Sequence, residues 1–237
     1  MNIAIILAGG SGTRIGADCP KQFIDVLGKP VIAYTMQIFQ SHELIDLIEV
    51  VCVKDYEERL QQIITREGLT KARLIVQGGE DFQHSVMNGV RGLKSVAKPD
   101  DIVLVHYAAS PFTTPDIITD CIRVAREHGN STSATPCYLL LGQNDDGKQS
   151  TRWIDRDRVM QLNTPQCFQY QYICSLYDRA EREGLLSRVE PHTTSLMYLM
   201  GETIYFAKGN QINIKITTPE DLQLFEGYAL LQQQQHT

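Results

Sequence analysis

The sequence lacks the marks of several protein classes. Its six cysteines, Cys19, Cys52, Cys121, Cys137, Cys167 and Cys174, form neither a C-x-x-C pair nor the close spacing of a disulfide framework, so they are read as reduced thiols, mostly filling the core. No apolar run approaches the length of a membrane span. The opening MNIAIILAGG has neither a basic n-region nor a small-residue cleavage site, which predicts a cytoplasmic protein with no membrane partner. Excess positive charge is also missing: a formal net charge of -6 argues against broad electrostatic capture of nucleic acid. There is no internal repeat, no Ser/His/Asp order with a nucleophile elbow and no Cys/His cluster with zinc spacing. Any anionic ligand must therefore be met by a few placed groups.

What is present is a chain of 237 residues, 43% of them hydrophobic, enough to bury one sizeable core, and residues 1–237 are read as a single domain. Short apolar runs rich in β-branched residues, IAIIL, LIEVVCV, ARLIVQ, DIVLVHY and TSATPCYLL, are separated by stretches with helical spacing such as VIAYTMQIFQ and DIITDCIRVARE. That alternation predicts a mostly parallel sheet covered by helices on both faces, with ligands bound outside the carboxyl ends of the strands. The polar stretch GQNDDGKQSTRW interrupts the alternation. It reads as an extended hairpin, with 139–158 a projecting β-arm, and its composition suits a surface loop as well as a dimer contact. The charge-rich DYEERLQQIITRE reads as a solvated helix face, and the terminal LLQQQQHT is expected to fray.

LAGGSGTR, Leu7 to Arg14, follows a strand directly. Gly9, Gly10 and Gly12 free the backbone to approach a ligand and present N–H groups to phosphate oxygens, and Arg14 adds a cation. The pattern is neither G-x-G-x-x-G nor a P-loop ending in G-K-[ST], which argues against a dinucleotide-binding dehydrogenase or a P-loop kinase. CPKQF then supplies Lys21, flanked by Pro20 and by a Phe23 expected to be buried, and this lysine is assigned to the site rather than to solvent.

With GGED (Gly78 to Asp81), SVMNG (Ser85 to Gly89), NTPQCF (Asn163 to Phe168) and NIKITTPEDL (Asn213 to Leu222), these stretches occur in the order and spacing of one family. The sequence resembles the IspD/TarI-type cytidylyltransferases over nearly its whole length. The resemblance implies a Rossmann-like nucleotidyltransferase, a three-layer α/β/α fold, usually a homodimer joined through a β-arm. It implies transfer of CMP from CTP to a small polyol or sugar phosphate with release of pyrophosphate, Mg²⁺ assisting. GGED, MNG and NIKITTP look closer to the ribitol-5-phosphate branch than to the methylerythritol 4-phosphate one. Carried over by position, the resemblance gives nucleotide contacts to Leu7, Ala8, Gly9, Gly10, Gly12, Thr13, Gly79, Asp81 and Ser85. It makes Arg14, Lys21 and Lys215 the catalytic cations, and gives acceptor contacts to Tyr107, Arg156, Thr164 and Thr194.

The sequence also departs from that pattern. It reads HYAASP where the family ordinarily has HDAxRP, so Tyr107 replaces an aspartate that coordinates the metal and Ser110 replaces an arginine. Phe82 stands at another arginine position and Leu140 near a threonine. Thr194 and Ser195 occupy acidic positions, and Ile212 stands where a second metal aspartate can occur. A neutral phenol is a poor ligand for a hard cation, so no residue is assigned as a metal ligand. Two readings stay open. One is a transferase whose Mg²⁺ arrives on the triphosphate while Arg14, Lys21 and Lys215 carry the charge. The other is a non-catalytic homologue that binds CTP or CDP and acts through association. His84, His106 and His192 fall near the site, and His106 is more simply a histidine satisfied by neighbouring backbone.

Overall fold

The computed structural model describes residues 1–10 and 19–235. In chain order the elements are β1 (Asn2–Ala8), β2 (Asp25–Val26), β3 (Lys29–Pro30), α1 (Val31–Ser41), β4 (Leu47–Cys52), α2 (Glu57–Arg66), β5 (Ala72–Gln77), α3 (Phe82–Gly92), β6 (Ile102–Tyr107) and α4 (Pro115–His128). There follow β7 (Asn130–Pro136), β8 (Leu141–Gly142), β9 (Trp153–Ile154), β10 (Met160–Gln169), α5 (Tyr170–Arg182), α6 (Thr193–Leu199), β11 (Phe206–Lys208) and α7 (Pro219–Gln235).

β1 explains why the first apolar run has no polar alternation. Ile3, Ile5 and Leu7 face one helical layer while Ala4, Ile6 and Ala8 face the other. A strand covered on both faces must be apolar throughout. β6 repeats the arrangement, with Ile102 and Leu104 on one face and Val103 and Val105 on the other. Each fully buried isoleucine contributes about 2 kcal/mol by removal from water. One layer is made by α1, α2 and α4, the other by α3, α5 and α6, and α7 closes a smaller cluster around Phe112, Ile216 and Phe225. α4 shows how sequence sets helix limits: Pro115 opens the first turn, and Gly129 at φ 89° ends the helix by donating to the Ala125 carbonyl.

The seven-stranded sheet has the order β11-β7-β10-β6-β1-β4-β5. β6, β1, β4 and β5 are mutually parallel, as the alternation predicts, but β10 runs antiparallel between β6 and β7. Periodicity gave no sign of β10, because its polar residues and internal Pro165 argue locally against a central strand; its register shifts between Asn163 and Gln166 accommodate them. In TSATPCYLL, only the part up to Pro136 is strand, and Tyr138, Leu139 and Leu140 lie exposed. β8 and β9 pair with each other in a separate two-stranded sheet within 139–158. α7 continues through Gln235, in keeping with the good helix propensity of glutamine, while residues 236–237 of the terminal LLQQQQHT lie outside the described residues. No described helix is long and apolar enough to cross a membrane.

Candidate active site

The chain passes from β1 to β4 and outward to β5, then crosses back over the opposite face through α3 to place β6 on the other side of β1. Where connections leave a parallel sheet in opposite directions, a crevice opens at the carboxyl ends of the strands. Leu7 and Tyr107 are register partners at that point. A cavity of about 500 Å³ lies there, lined by Leu7, Gly9, Gly10, Lys21, Gln22, Gly79, Glu80, Asp81, Phe82, Ser85, Tyr107, Ala109, Pro191, Lys215 and Thr217.

One wall is made by close backbone approach. A Cβ on Gly9 would stand 3.0 Å from Ser85 Oγ, and one on Gly79 would stand 2.4 Å from His84 Cβ and 2.7 Å from its backbone carbon. Ser85 Oγ donates to the Asp81 carbonyl (2.7 Å) and accepts from the Gly79 amide (3.0 Å). Asp81 caps α3 by accepting from the His84 amide at 2.9 Å, a satisfied helix start. Burial pulls the Asp81 carboxyl upward, but the His84 amide and imidazole outweigh it, leaving it below its ordinary value.

Gln22, which the sequence pattern did not single out, ties this wall to the first loop. It is 3% exposed, and its Nε2 donates to the carbonyls of Ala8 (2.7 Å) and Gly10 (3.0 Å). Its place inside PKQF was the available signal. Lys21 begins the short helical turn Lys21–Phe23, and Phe23 is fully buried, as expected. Lys21 Nζ donates to the Ile216 carbonyl at 2.5 Å, so it converges with Lys215 on one segment.

The facing wall is aromatic. Tyr107 and Phe82 have ring centroids 5.8 Å apart, and His192 lies 6.0 Å from Tyr107 and 6.1 Å from Phe82. Tyr107 Oη and His192 Nδ1 share a 2.6 Å hydrogen bond. Lys215 Nζ sits 4.3 Å from the Tyr107 ring centroid. Burial, aided by the charge of Glu190, pushes the Tyr107 phenol above its ordinary range, and burial with Lys215 nearby lowers His192. Both are neutral at pH 7. Buried Gln83 holds the segment from behind, donating to the carbonyls of His192 (3.0 Å) and Glu190 (3.4 Å) and accepting from Tyr177 (2.8 Å).

Nine of the residues assigned from sequence thus meet in one cavity: Leu7, Gly9, Gly10, Lys21, Gly79, Asp81, Ser85, Tyr107 and Lys215. Ala8 is buried beneath it, and Gly12, Thr13 and Arg14 lie outside the described residues. Thr164 and Thr194 are buried and do not line the cavity: Thr164 accepts from Asn213 through its carbonyl, and Thr194 Oγ1 accepts from Gln166. Arg156 follows β9 and donates to the Tyr138 carbonyl at 2.9 Å, also away from the cavity. His106 is fully buried, bonded to the Ser110 carbonyl, and lowered to about 4 by desolvation; it is structural.

The family model for IspD, 2-C-methyl-D-erythritol 4-phosphate cytidylyltransferase, matches residues 2–231. The chain belongs to the IspD cytidylyltransferase family. A ribitol-5-phosphate cytidylyltransferase of Lacticaseibacillus paracasei is 34% identical over 228 residues, 96% of this chain and 97% of the relative. The 2-C-methyl-D-erythritol 4-phosphate cytidylyltransferase of Clostridium acetobutylicum is 38% identical over 224 residues, 94% of each. Among solved structures, the 2-C-methyl-D-erythritol 4-phosphate cytidylyltransferase of Thermus thermophilus superposes with a TM-score of 0.76 at 25% identity, covering 97% of this chain and 99% of its own.

Cytidylyltransferases of this family generally use a divalent metal with CTP. Among the described residues, one group of carboxylate and imidazole atoms lies within 4.8 Å of one another, from Glu80, Asp81 and His84. Glu80 and Asp81 are exposed, and the Asp81–His84 pair is already hydrogen-bonded at 2.8 Å. Where β6 ends, the chain offers a phenol and an ammonium. Hard divalent cations take carboxylate, carbonyl and water oxygens, so the residues at that point do not fit a metal held by the protein.

Proposed function

We propose that this chain transfers CMP from CTP to a small phosphorylated polyol, with ribitol 5-phosphate the first candidate and methylerythritol 4-phosphate the second, releasing pyrophosphate. The observation that carries this reading is one cavity whose glycine wall faces two lysines, Lys21 and Lys215. The names of the relatives agree with it. A phosphate oxygen of the acceptor attacks the α-phosphorus of CTP, the bond to the bridging oxygen breaks, and pyrophosphate leaves. An ionised phosphate nucleophile needs no general base, so the protein's work is alignment and charge neutralisation.

In this reading Gly9, Gly10, Gly79, Asp81 and Ser85 seat the nucleoside, and Lys21, Lys215 and Arg14 meet the phosphates. Mg²⁺ accompanying the triphosphate would add to the charge neutralisation that these three cations supply. Exposed Tyr138, Leu139, Leu140 and Trp153 favour a homodimer through 139–158, and Arg156, Thr164 and Thr194 are assigned to the acceptor side. The six free thiols favour a cytoplasmic setting.

The test is pyrophosphate release from CTP with each acceptor, alongside calorimetric CTP binding. Release with one of the two acceptors is expected. CTP binding without release from either would remove the transfer reading and leave a nucleotide-binding protein.

A further inference from the structure

Tyr107 makes two contacts that use different parts of its side chain. The ring face carries the Lys215 ammonium at 4.3 Å, and the hydroxyl meets His192 Nδ1 at 2.6 Å. Phe82 packs against the same ring. Lysine has a flexible four-carbon stem, and an ammonium placed over an aromatic face loses much of that freedom. Attraction to the ring quadrupole strengthens when the pair is desolvated. A ring also differs from a carboxylate in one decisive way. A carboxylate at that position would oppose the lysine's charge, whereas a neutral ring positions the ammonium without adding an opposing charge.

We propose that Tyr107 is the positioning residue for Lys215, its ring face fixing the ammonium where reacting phosphates gather while its hydroxyl anchors the 190–193 segment. This inference rests on the transfer reading for its role in turnover, and stands independently of it for the position of Lys215.

The test compares Tyr107→Phe, Tyr107→Leu and Tyr107→Asp in the full chain, with matched thermal melts. The first readout is the ring-current shift of the Lys215 ε-methylene protons in lysine-labelled protein, assigned by their loss in Lys215→Met. The upfield shift is expected to persist in the Phe variant and vanish in the Leu variant. The second is metal-free CTP binding in a chelator. Phe is expected to stay within about threefold, Leu to weaken about tenfold, and Asp to weaken more, because its carboxylate neutralises the lysine. The third is the kinetic split: Leu lowers kcat about tenfold, while Phe chiefly raises the acceptor KM about threefold through the lost His192 bond.

If Leu matches Phe in both shift and kcat, the inference is overturned. So it is if Asp binds metal-free CTP as tightly as the parent. Should Tyr107→Leu fail to fold, Tyr107→Met takes its place with the same expectations. If the parent gives no pyrophosphate with any acceptor while shifts and CTP affinities follow the expected order, the transfer reading falls and the positioning inference stands.

Discussion

On the glycine wall of the cavity, Gly9, Gly78 and Gly79 bring backbone against backbone, and Ser85 bonds to main-chain groups. On the aromatic wall, Phe82, Tyr107 and His192 meet only through side chains. The first wall leaves no space for a methyl group at Gly79, whereas the second changes whenever one ring is exchanged for another group of similar size. A wall written into main-chain geometry resists substitution while one built from rings exchanges readily; under the proposed transfer reading the first would seat the nucleotide and the second would face the acceptor. The departures at Phe82 and Tyr107 fall on the exchangeable wall.

Three changes test this contrast. The largest effect on CTP affinity is expected from Gly79→Ala, where the new Cβ lies 2.7 Å from backbone rather than from a movable side-chain tip. Overpacking of this kind costs about 2 kcal/mol, or roughly 30-fold in CTP affinity by calorimetry. An affinity within threefold of the parent would mean that the wall yields as easily as the aromatic one.

Next is the seat of α3 behind the glycine wall. Glu49, on β4 beside the edge strand β5, is fully buried with neither oxygen bonded, beside Gly89 and Gly92. Desolvation raises its carboxyl from 4.5 to about 8. The folded chain thus holds a proton that the unfolded chain releases, so stability is fully present below pH 4.5 and falls as pH rises to about 8. The slope is at most about 1.4 kcal/mol per pH unit. Denaturant unfolding at pH 5 and pH 8 should show this loss in the parent and its absence in Glu49→Gln; equal slopes in both would assign the loss elsewhere. The smallest effect belongs to Gln22→Ala, which removes two hydrogen bonds from the first loop. About 1 kcal/mol, near fivefold in CTP affinity, is expected with an unchanged acceptor KM. A raised acceptor KM would show that the two walls are coupled.

The contrast also explains what could be read in advance. The glycine loop, the GGED turn and buried Phe23 beside Lys21 carry their own local reasons. Gln22 does not, since a glutamine reads as surface until the fold encloses it with two carbonyls. β10 was hidden by its polar residues and Pro165. The Tyr107–His192 bond joins positions 85 apart, and nothing local to either announces the other. Of the residues assigned to the acceptor, Tyr107 lines the cavity, while Arg156, Thr164 and Thr194 do not.

By itself the sequence determined the both-face burial of the parallel strands, the close backbone approach at Gly9 after β1, and the absence of excess positive charge. These are local properties, set by side-chain period and by the absence of a Cβ. Only the tertiary structure decided that Lys21 shares a segment with Lys215, that Lys215 rests on the Tyr107 ring, and that Gln83 and His192 close the aromatic wall. Such contacts depend on how the crossover through α3 brings the ends of β1 and β6 together, a packing relation that no single stretch of sequence contains.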